Sequence, residues 1–275
     1  METLILNRFE KTLKKLDRPP AGPNFVRLLA EEPLRTAKNI VSLVLGVPPF
    51  TYRDSYSLMR DRITLGITLE TALKAIEGRG SPIGRKHNRS LLRAFFKWEK
   101  ERKYSSLNPV GFEQAHYRVS RDILVPIDPL TVIRESGKFT SVFACGWNDV
   151  DCLSMLQRRF LRTMTEDAFL SLTDYQDGQA EFLFFPKMKT QPLESADTDK
   201  ETDPVRVPEV WQRNDYDMLS KAEMTELIQV YLEGRSMARD ILNGMAKSGK
   251  FSDDTEIENE EEREQGQEDF FDRPE

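Results

Sequence analysis

Apolar residues recur at intervals of three and four positions through most of residues 1–104. This spacing places them on one side of an α-helix and leaves the opposite side polar. Residues 3–17 show it most clearly, and prolines bound two further helical segments at about 24–32 and 34–46. The stripe of the first helix comprises Leu6, Phe9, Leu13 and Leu16. The pattern therefore predicts a helical N-terminal region.

A glycine-rich turn separates two more predicted helices. Thr68 is the predicted N-cap of a helix that carries Leu69 and Ile76. Segment 78–84 ends this helix and precedes a longer one over residues 85–104. The two helices resemble a helix-turn-helix, with a predicted turn that is longer than the usual three or four residues.

From Tyr117 the period of the pattern changes to two, the spacing of a half-buried β-strand. Residues 130–135 and the alternating segment 139–147 are joined by Ser136 and Gly137, which predicts a β-hairpin. We expect these strands to belong to a small antiparallel sheet with helices packed against it.

The chain after the hairpin is predicted to mix helix, strand and loop. A helical stripe runs from 153 to about 172, and a short apolar strand follows at 182–185. The polar segment 187–203 is typical of a mobile loop, and a strand is expected near 205–211.

Ser220 and Glu223 have capping-box spacing at the start of a long C-terminal helix. Its apolar stripe is regular apart from Gly234 and fits either core packing, which we expect, or contact with a partner helix. The stripe comprises Met224, Leu227, Ile228, Tyr231, Ala238, Ile241, Leu242 and Met245.

Charge is divided along the chain. Residues 1–120 hold 22 Lys and Arg against 12 Asp and Glu, a net of +10, and residues 121–251 hold 16 against 22, a net of -6. Residues 252–275 hold 2 against 12, a net of -10, so the overall charge of -6 conceals the division. The composition of this last segment predicts a disordered acidic tail.

The predicted helix at 85–104 carries much of the basic excess. On a helical wheel of about 100° per residue, we predict that its eight basic residues share one arc about 140° wide, opposite Leu91, Phe95 and Trp98. Closely spaced cations gain free energy by releasing counterions from a polyanion, so the face predicts nucleic-acid binding. An ordinary solvated helix face is the alternative. The predicted binding residues are Arg85, Lys86, Arg89, Arg93, Lys97, Lys100, Arg102 and Lys103.

No combination of residues in the sequence predicts catalysis, a metal or a cofactor. A Cys145 nucleophile would need a general base, and the chain offers only His87 and His116. Cys145 and Cys152 have six intervening residues, outside the short spacing of zinc knuckles. Most of the acidic residues that could gather a magnesium ion are more simply helix caps or turn residues; the group is Asp149, Asp151, Asp174, Asp177 and Glu181.

The sequence also argues against secretion and membrane insertion. Charges at Arg8, Glu10 and Lys11 interrupt any secretory signal, and the longest apolar run, 40–47, is far short of the roughly 20 residues of a membrane span. We therefore expect a cytoplasmic protein whose two cysteines are reduced.

These observations predict an α+β protein with a helical domain at 1–115, an α+β domain at 116–249 and the acidic tail at 250–275. The expected function is that of a non-enzymatic, nucleic-acid-associated accessory or regulatory protein, which binds through the basic helix and is modulated by the tail. The alternative is an adaptor whose basic and C-terminal helices contact a protein partner, the basic helix through an acidic surface.

Overall fold

Our computed structural model describes residues 2–46, 50–104, 109–146, 153–188 and 204–248. Two predictions lie wholly or largely outside these ranges, namely the mobile loop before residue 204 and the disordered tail. The same is true of Trp147, Asp149, Asp151 and Cys152.

The N-terminal region is helical as predicted, with shifted ends. Its helices are α1 (Glu2–Asp17), α2 (Gly22–Leu28), α3 (Pro33–Leu45), α4 (Arg53–Leu65), α5 (Leu69–Glu77) and α6 (Pro82–Arg102). Thr68 caps α5 as expected, because its side chain accepts a hydrogen bond from the backbone N–H of Thr71. Sequence periodicity did not single out α4, whose buried stripe is short and includes a polar residue: Ser55, Met59 and Ile63.

The strands and the remaining helices follow in the C-terminal part. The strands are β1 (Pro109–Val110), β2 (Ala115–Arg118), β3 (Leu124–Ile127), β4 (Thr131–Glu135), β5 (Lys138–Cys145), β6 (Gln179–Phe184) and β7 (Glu209–Gln212). The helices are α7 (Met155–Thr165), which continues into a π-helical turn (Glu166–Leu170), and α8 (Lys221–Lys247). This mixture of helix and strand confirms the predicted α+β class.

The predicted hairpin is β4–β5. Ser136 and Gly137 both have positive φ, 49° and 82°, as a two-residue type I′ turn requires. Strands β1, β4, β5, β6 and β7 form one sheet in that order, and β2 pairs with β3 in a separate antiparallel ladder.

The prediction of an antiparallel sheet is wrong for one pair of strands. β5 and β6 are parallel, with Phe143 opposite Phe182, while the neighbouring pairs are antiparallel. The reason lies in the connection: α7 and the π-helical turn return the chain to the end of the sheet at which β5 began. The five-stranded sheet is therefore mixed.

Each face of the mixed sheet supports its own apolar cluster. Successive residues of a strand point to opposite faces, so Phe143 joins a cluster with α2, α3, α7 and α8, whereas Val142 joins one with α4, α5 and α6. Both clusters contain residues from either side of the predicted domain boundary at 115/116. The two predicted domains therefore share two apolar cores.

The C-terminal helix α8 begins at the predicted capping box, which Ser220 and Glu223 complete. Its apolar stripe packs in the core, as expected, and α3 is its main partner. The stripe of α8 is therefore occupied by core packing, and the adaptor function stays an untested alternative.

Gly234 is a point of close approach between α8 and α3. A Cβ at this position would lie 2.8 Å from Thr36 Cγ2 and 2.9 Å from the carbonyl oxygen of Pro33. The apparent gap in the apolar stripe is thus a position where the absence of a side chain lets two helices meet.

Substitution of two α8 glycines should have opposite effects on stability. We expect Gly234→Ala to lower the free energy of unfolding by about 1–3 kcal/mol through overpacking. Gly244 has no atom within 4 Å of its would-be Cβ, so Gly244→Ala should raise that free energy by about 0.5–1 kcal/mol through helix propensity. Urea denaturation measures both. An equal increase in the free energy of unfolding for the two variants would contradict the close approach of α3 and α8.

A buried ion cluster joins α7, the π-helical turn and the segment after β7. Glu166 receives hydrogen bonds from Arg162 and from Arg213, whose Nε lies 3.0 Å from Oε2. Arg213 also donates to the backbone carbonyls of Tyr175, Gln176 and Gly178. Burial alone would raise the pKa of Glu166, but the two arginines outweigh it and hold the pKa below its ordinary value.

Candidate nucleic-acid interface

Helix α6 has well-defined ends. Ser81 accepts a hydrogen bond from the N–H of Gly84 at 3.1 Å, and Pro82 occupies the first turn, where its missing N–H costs nothing. The helix ends at Arg102, and the next residue, Lys103, caps it with a left-handed backbone of φ 55°. It starts three residues earlier than predicted, so the turn after α5 comprises residues 78–81, the four-residue length found in helix-turn-helix pairs.

One side of α6 is buried against the mixed sheet. Phe95 meets Phe185 edge to face, with ring centroids 6.2 Å apart. Leu91 lies so close to Gly146 that a Cβ there would be 2.7 Å from its Cδ2. The apolar side predicted from the helical wheel therefore faces the sheet.

The opposite side of α6 carries a row of cations. Arg93, Lys97, Lys100 and Lys103 are exposed. Among the described residues, Lys97, Lys100 and Lys103 take part in no ion pair. Further basic residues on this side are half-buried; they are Arg85, Lys86 and Arg89. We call these seven residues the α6 strip.

The prediction of one shared arc is wrong for Arg102, which does not lie on the face of the other seven. Seventeen steps of about 100° from Arg85 place it near 260°, beside Phe95. Its Nε donates to Glu181 Oε1 at 2.7 Å, and its Nη2 donates to Glu135 Oε2 at 2.7 Å. Arg102 therefore anchors the end of α6 to the sheet.

Tyr104 completes this anchor. Its hydroxyl donates to Glu181 Oε2 at 2.6 Å, and the guanidinium of Arg102 lies 4.6 Å from the centre of its ring. Burial and the Glu181 carboxylate raise the pKa of the Tyr104 phenol. Burial lowers the pKa of Arg102, but the hydrogen bonds and charges of Glu135 and Glu181 outweigh it and raise the pKa overall. The cluster thus keeps both donors protonated.

The two acidic residues of α6 lie outside the strip. Glu99 is buried and accepts from Arg62 Nε of α4 at 2.7 Å. Glu101 is exposed, near 160° on a wheel of about 100° per residue. Exposed Glu101 therefore borders the strip, one helical turn after Lys97, while Glu99 is turned towards α4.

An aromatic group that sequence analysis missed stands beside the first turns of α6. Phe50 and His87 stack with ring centroids 4.5 Å apart and planes inclined by 10°. Tyr52 meets Phe50 edge-on at 5.2 Å, and its hydroxyl accepts from Arg206 Nη2 at 2.5 Å. All three rings are half-buried. The sequence shows aromatic residues at positions 50 and 52. They belong to no helical or strand periodicity, so the pattern did not indicate that they lie beside α6.

The described residues considered as a nucleophile or as magnesium ligands are buried, bonded to other side chains or placed in a turn. Cys145 is a buried residue of β5, and Glu181 is held by Arg102 and Tyr104. Asp174 and Asp177 lie in a turn, as expected. Within the described ranges, no three His, Cys, Asp or Glu side chains converge in the manner of a metal site.

Comparison with known proteins adds no relative. No family model, curated protein or solved structure matches the chain. In the part of the chain that the structure describes, every helix is too short or too polar to cross a membrane.

Proposed function

We propose that the protein binds nucleic acid through the α6 strip, by contacts with the phosphate backbone. The supporting observation is the row of exposed cations at Arg93, Lys97, Lys100 and Lys103, on a helix whose opposite side is fixed to the sheet. A helix of 21 residues is about 30 Å long, so the row can follow several phosphates.

Phosphate contact suits this helix better than the reading of base edges. α6 is buried by the sheet on one side, and Ser55 and Arg62 of α4 bond to Asn88 and Glu99 of α6 on another. Lysines and arginines on the remaining strip can reach a surface laid across them. Such contacts position a nucleic acid without reading its sequence, so we propose sequence-independent binding.

A salt titration tests the proposal. Labelled DNA and RNA are titrated with the full chain and with a Lys97→Gln, Lys100→Gln, Lys103→Gln variant at several salt concentrations, and binding is followed by fluorescence anisotropy. Because each lost phosphate contact reduces the slope of log K against log salt by about 1, the variant should bind more weakly, with a slope lower by about 3.

A variant of equal charge change provides the control. Arg121, Lys138 and Lys221 are exposed and lie outside α6. Replacement of these three by Gln should leave the affinity and the slope close to those of the unmodified chain. The proposal fails if the full chain binds neither nucleic acid at low salt, or if the two variants lose affinity equally.

We propose further that the acidic segment 252–275 weakens this binding. Its net charge of -10 is opposite in sign to the α6 strip. A chain that ends at Gly249 should therefore bind more tightly in the same titration, most clearly at low salt, because screening reduces attraction between the segment and the strip.

A further inference from the structure

The aromatic group of Phe50, Tyr52 and His87 has the composition of a base-stacking platform. Proteins that bind single strands combine cations that follow the backbone with aromatic rings on which bases stack. Here the Phe50–His87 stack lies at the first turns of α6, level with Arg85, Lys86 and Arg89 along the helix axis. It is displaced around the helix from them, since His87 lies about 100° from Lys86 on the helical wheel.

Contacts within the protein hold the stack in place in the absence of a ligand. Phe50 lies against α6 at Gly84, where a Cβ would be 2.8 Å from Phe50 Cβ. Tyr52 is fixed by its hydrogen bond from Arg206, a buried residue that also donates to the carbonyl oxygen of Phe185 at 2.5 Å. A rigid ring costs less conformational entropy on binding than a mobile one.

We infer that the ligand of the α6 strip is a single strand, one of whose bases stacks on the Phe50–His87 pair. A duplex keeps its bases stacked on one another, so it can meet the cations but cannot use the rings. A single strand can use both. This inference rests on the proposed function and specifies the class of nucleic acid.

Anisotropy with two forms of one oligonucleotide tests the inference. The probes are a labelled strand of about 15 nucleotides, within the site sizes of single-strand binders, and its duplex. We expect the full chain to prefer the single strand. Phe50→Leu keeps an apolar contact at Gly84 but removes the stacking surface, so it should weaken single-strand binding by roughly 5- to 150-fold and leave duplex binding unchanged.

Phe139→Leu is the matched control. Phe139 is a half-buried aromatic residue at the beginning of β5. The Phe50 region lies near the other end of that strand, where the hydroxyl of Tyr56 accepts a hydrogen bond from the N–H of Gly146. This variant should retain the preference for single strands. Thermal unfolding of each variant checks that the protein is folded.

The outcomes separate this inference from the proposed function. Unchanged single-strand binding by Phe50→Leu would overturn the stacking inference, as would an equal loss for single strand and duplex. If the triple lysine variant still binds more weakly in those cases, the proposed function stands. If the full chain binds neither probe, both fail.

Discussion

Glu166→Gln is expected to lower the free energy of unfolding by about 3–5 kcal/mol, the cost of leaving buried charges without their partner. The side chains of Arg162 and Arg213 are only 7% and 9% exposed, so water cannot replace the carboxylate. The amide keeps the shape of Glu166 but carries no charge, and its nitrogen faces donors. Urea denaturation at neutral pH measures the loss.

The same variant should change the acid sensitivity of the protein. The folded-state pKa of Glu166 lies below its unfolded value, so its contribution is present above the unfolded pKa and is lost as the pH falls through the folded pKa. The unmodified chain should therefore lose more stability on acidification than Glu166→Gln. Parallel pH profiles for the two proteins would contradict this assignment.

A solvent-exposed pair is the control for this prediction. Asp54 and Arg79 form an ion pair with side chains 39% and 61% exposed. Because water screens such a pair, Asp54→Asn should cost less than about 1 kcal/mol. A loss for Glu166→Gln as small as that of Asp54→Asn would show that the buried cluster is not as the structure describes it.

Removal of Glu181 should have the second largest effect, a loss of about 3 kcal/mol for Glu181→Ala. The change leaves the buried hydroxyl of Tyr104 without its acceptor and removes one of the two carboxylates that hold Arg102. We place the loss at the low end of the range for buried pairs because the Arg102 side chain is 28% exposed and keeps Glu135. Chemical denaturation again provides the measurement.

Two further variants identify the source of that loss. Tyr104→Phe keeps the ring beside Arg102 and removes the hydroxyl, so it should cost about 1–2 kcal/mol. Glu101→Gln changes an exposed carboxylate on the same helix and should stay within about 0.5 kcal/mol of the unmodified chain. If Glu101→Gln costs as much as Glu181→Ala, net charge and not the anchor explains the loss.

The Arg102 anchor also has a functional consequence. It fixes the end of α6 at the point where Lys100 and Lys103 project from the opposite side. Part of the basic charge that sequence analysis assigned to ligand binding thus has a structural role, while the other seven residues remain candidates. The proposed site therefore comprises seven of the eight predicted residues.

Features that depend on residues close together in the sequence could be predicted. The type I′ turn at Ser136 and Gly137 and the capping box at Ser220 and Glu223 need only residues within a few positions of one another. The apolar stripes of α1, α6 and α8 are equally local, because helix geometry fixes which residues share a side. Neither the Phe50–His87 stack nor the parallel pairing of β5 and β6 has such a signal.

The sequence by itself determined the α+β class, most helices, the β4–β5 hairpin and the division of charge along the chain. The tertiary structure decided that Arg102 meets Glu181, a residue 79 positions away, and that Gly234 brings α8 against α3. It also brought Phe50 against α6. The physical reason is that dihedral preferences and caps act over a few residues, whereas burial and ion pairing depend on which distant segments the fold places in contact.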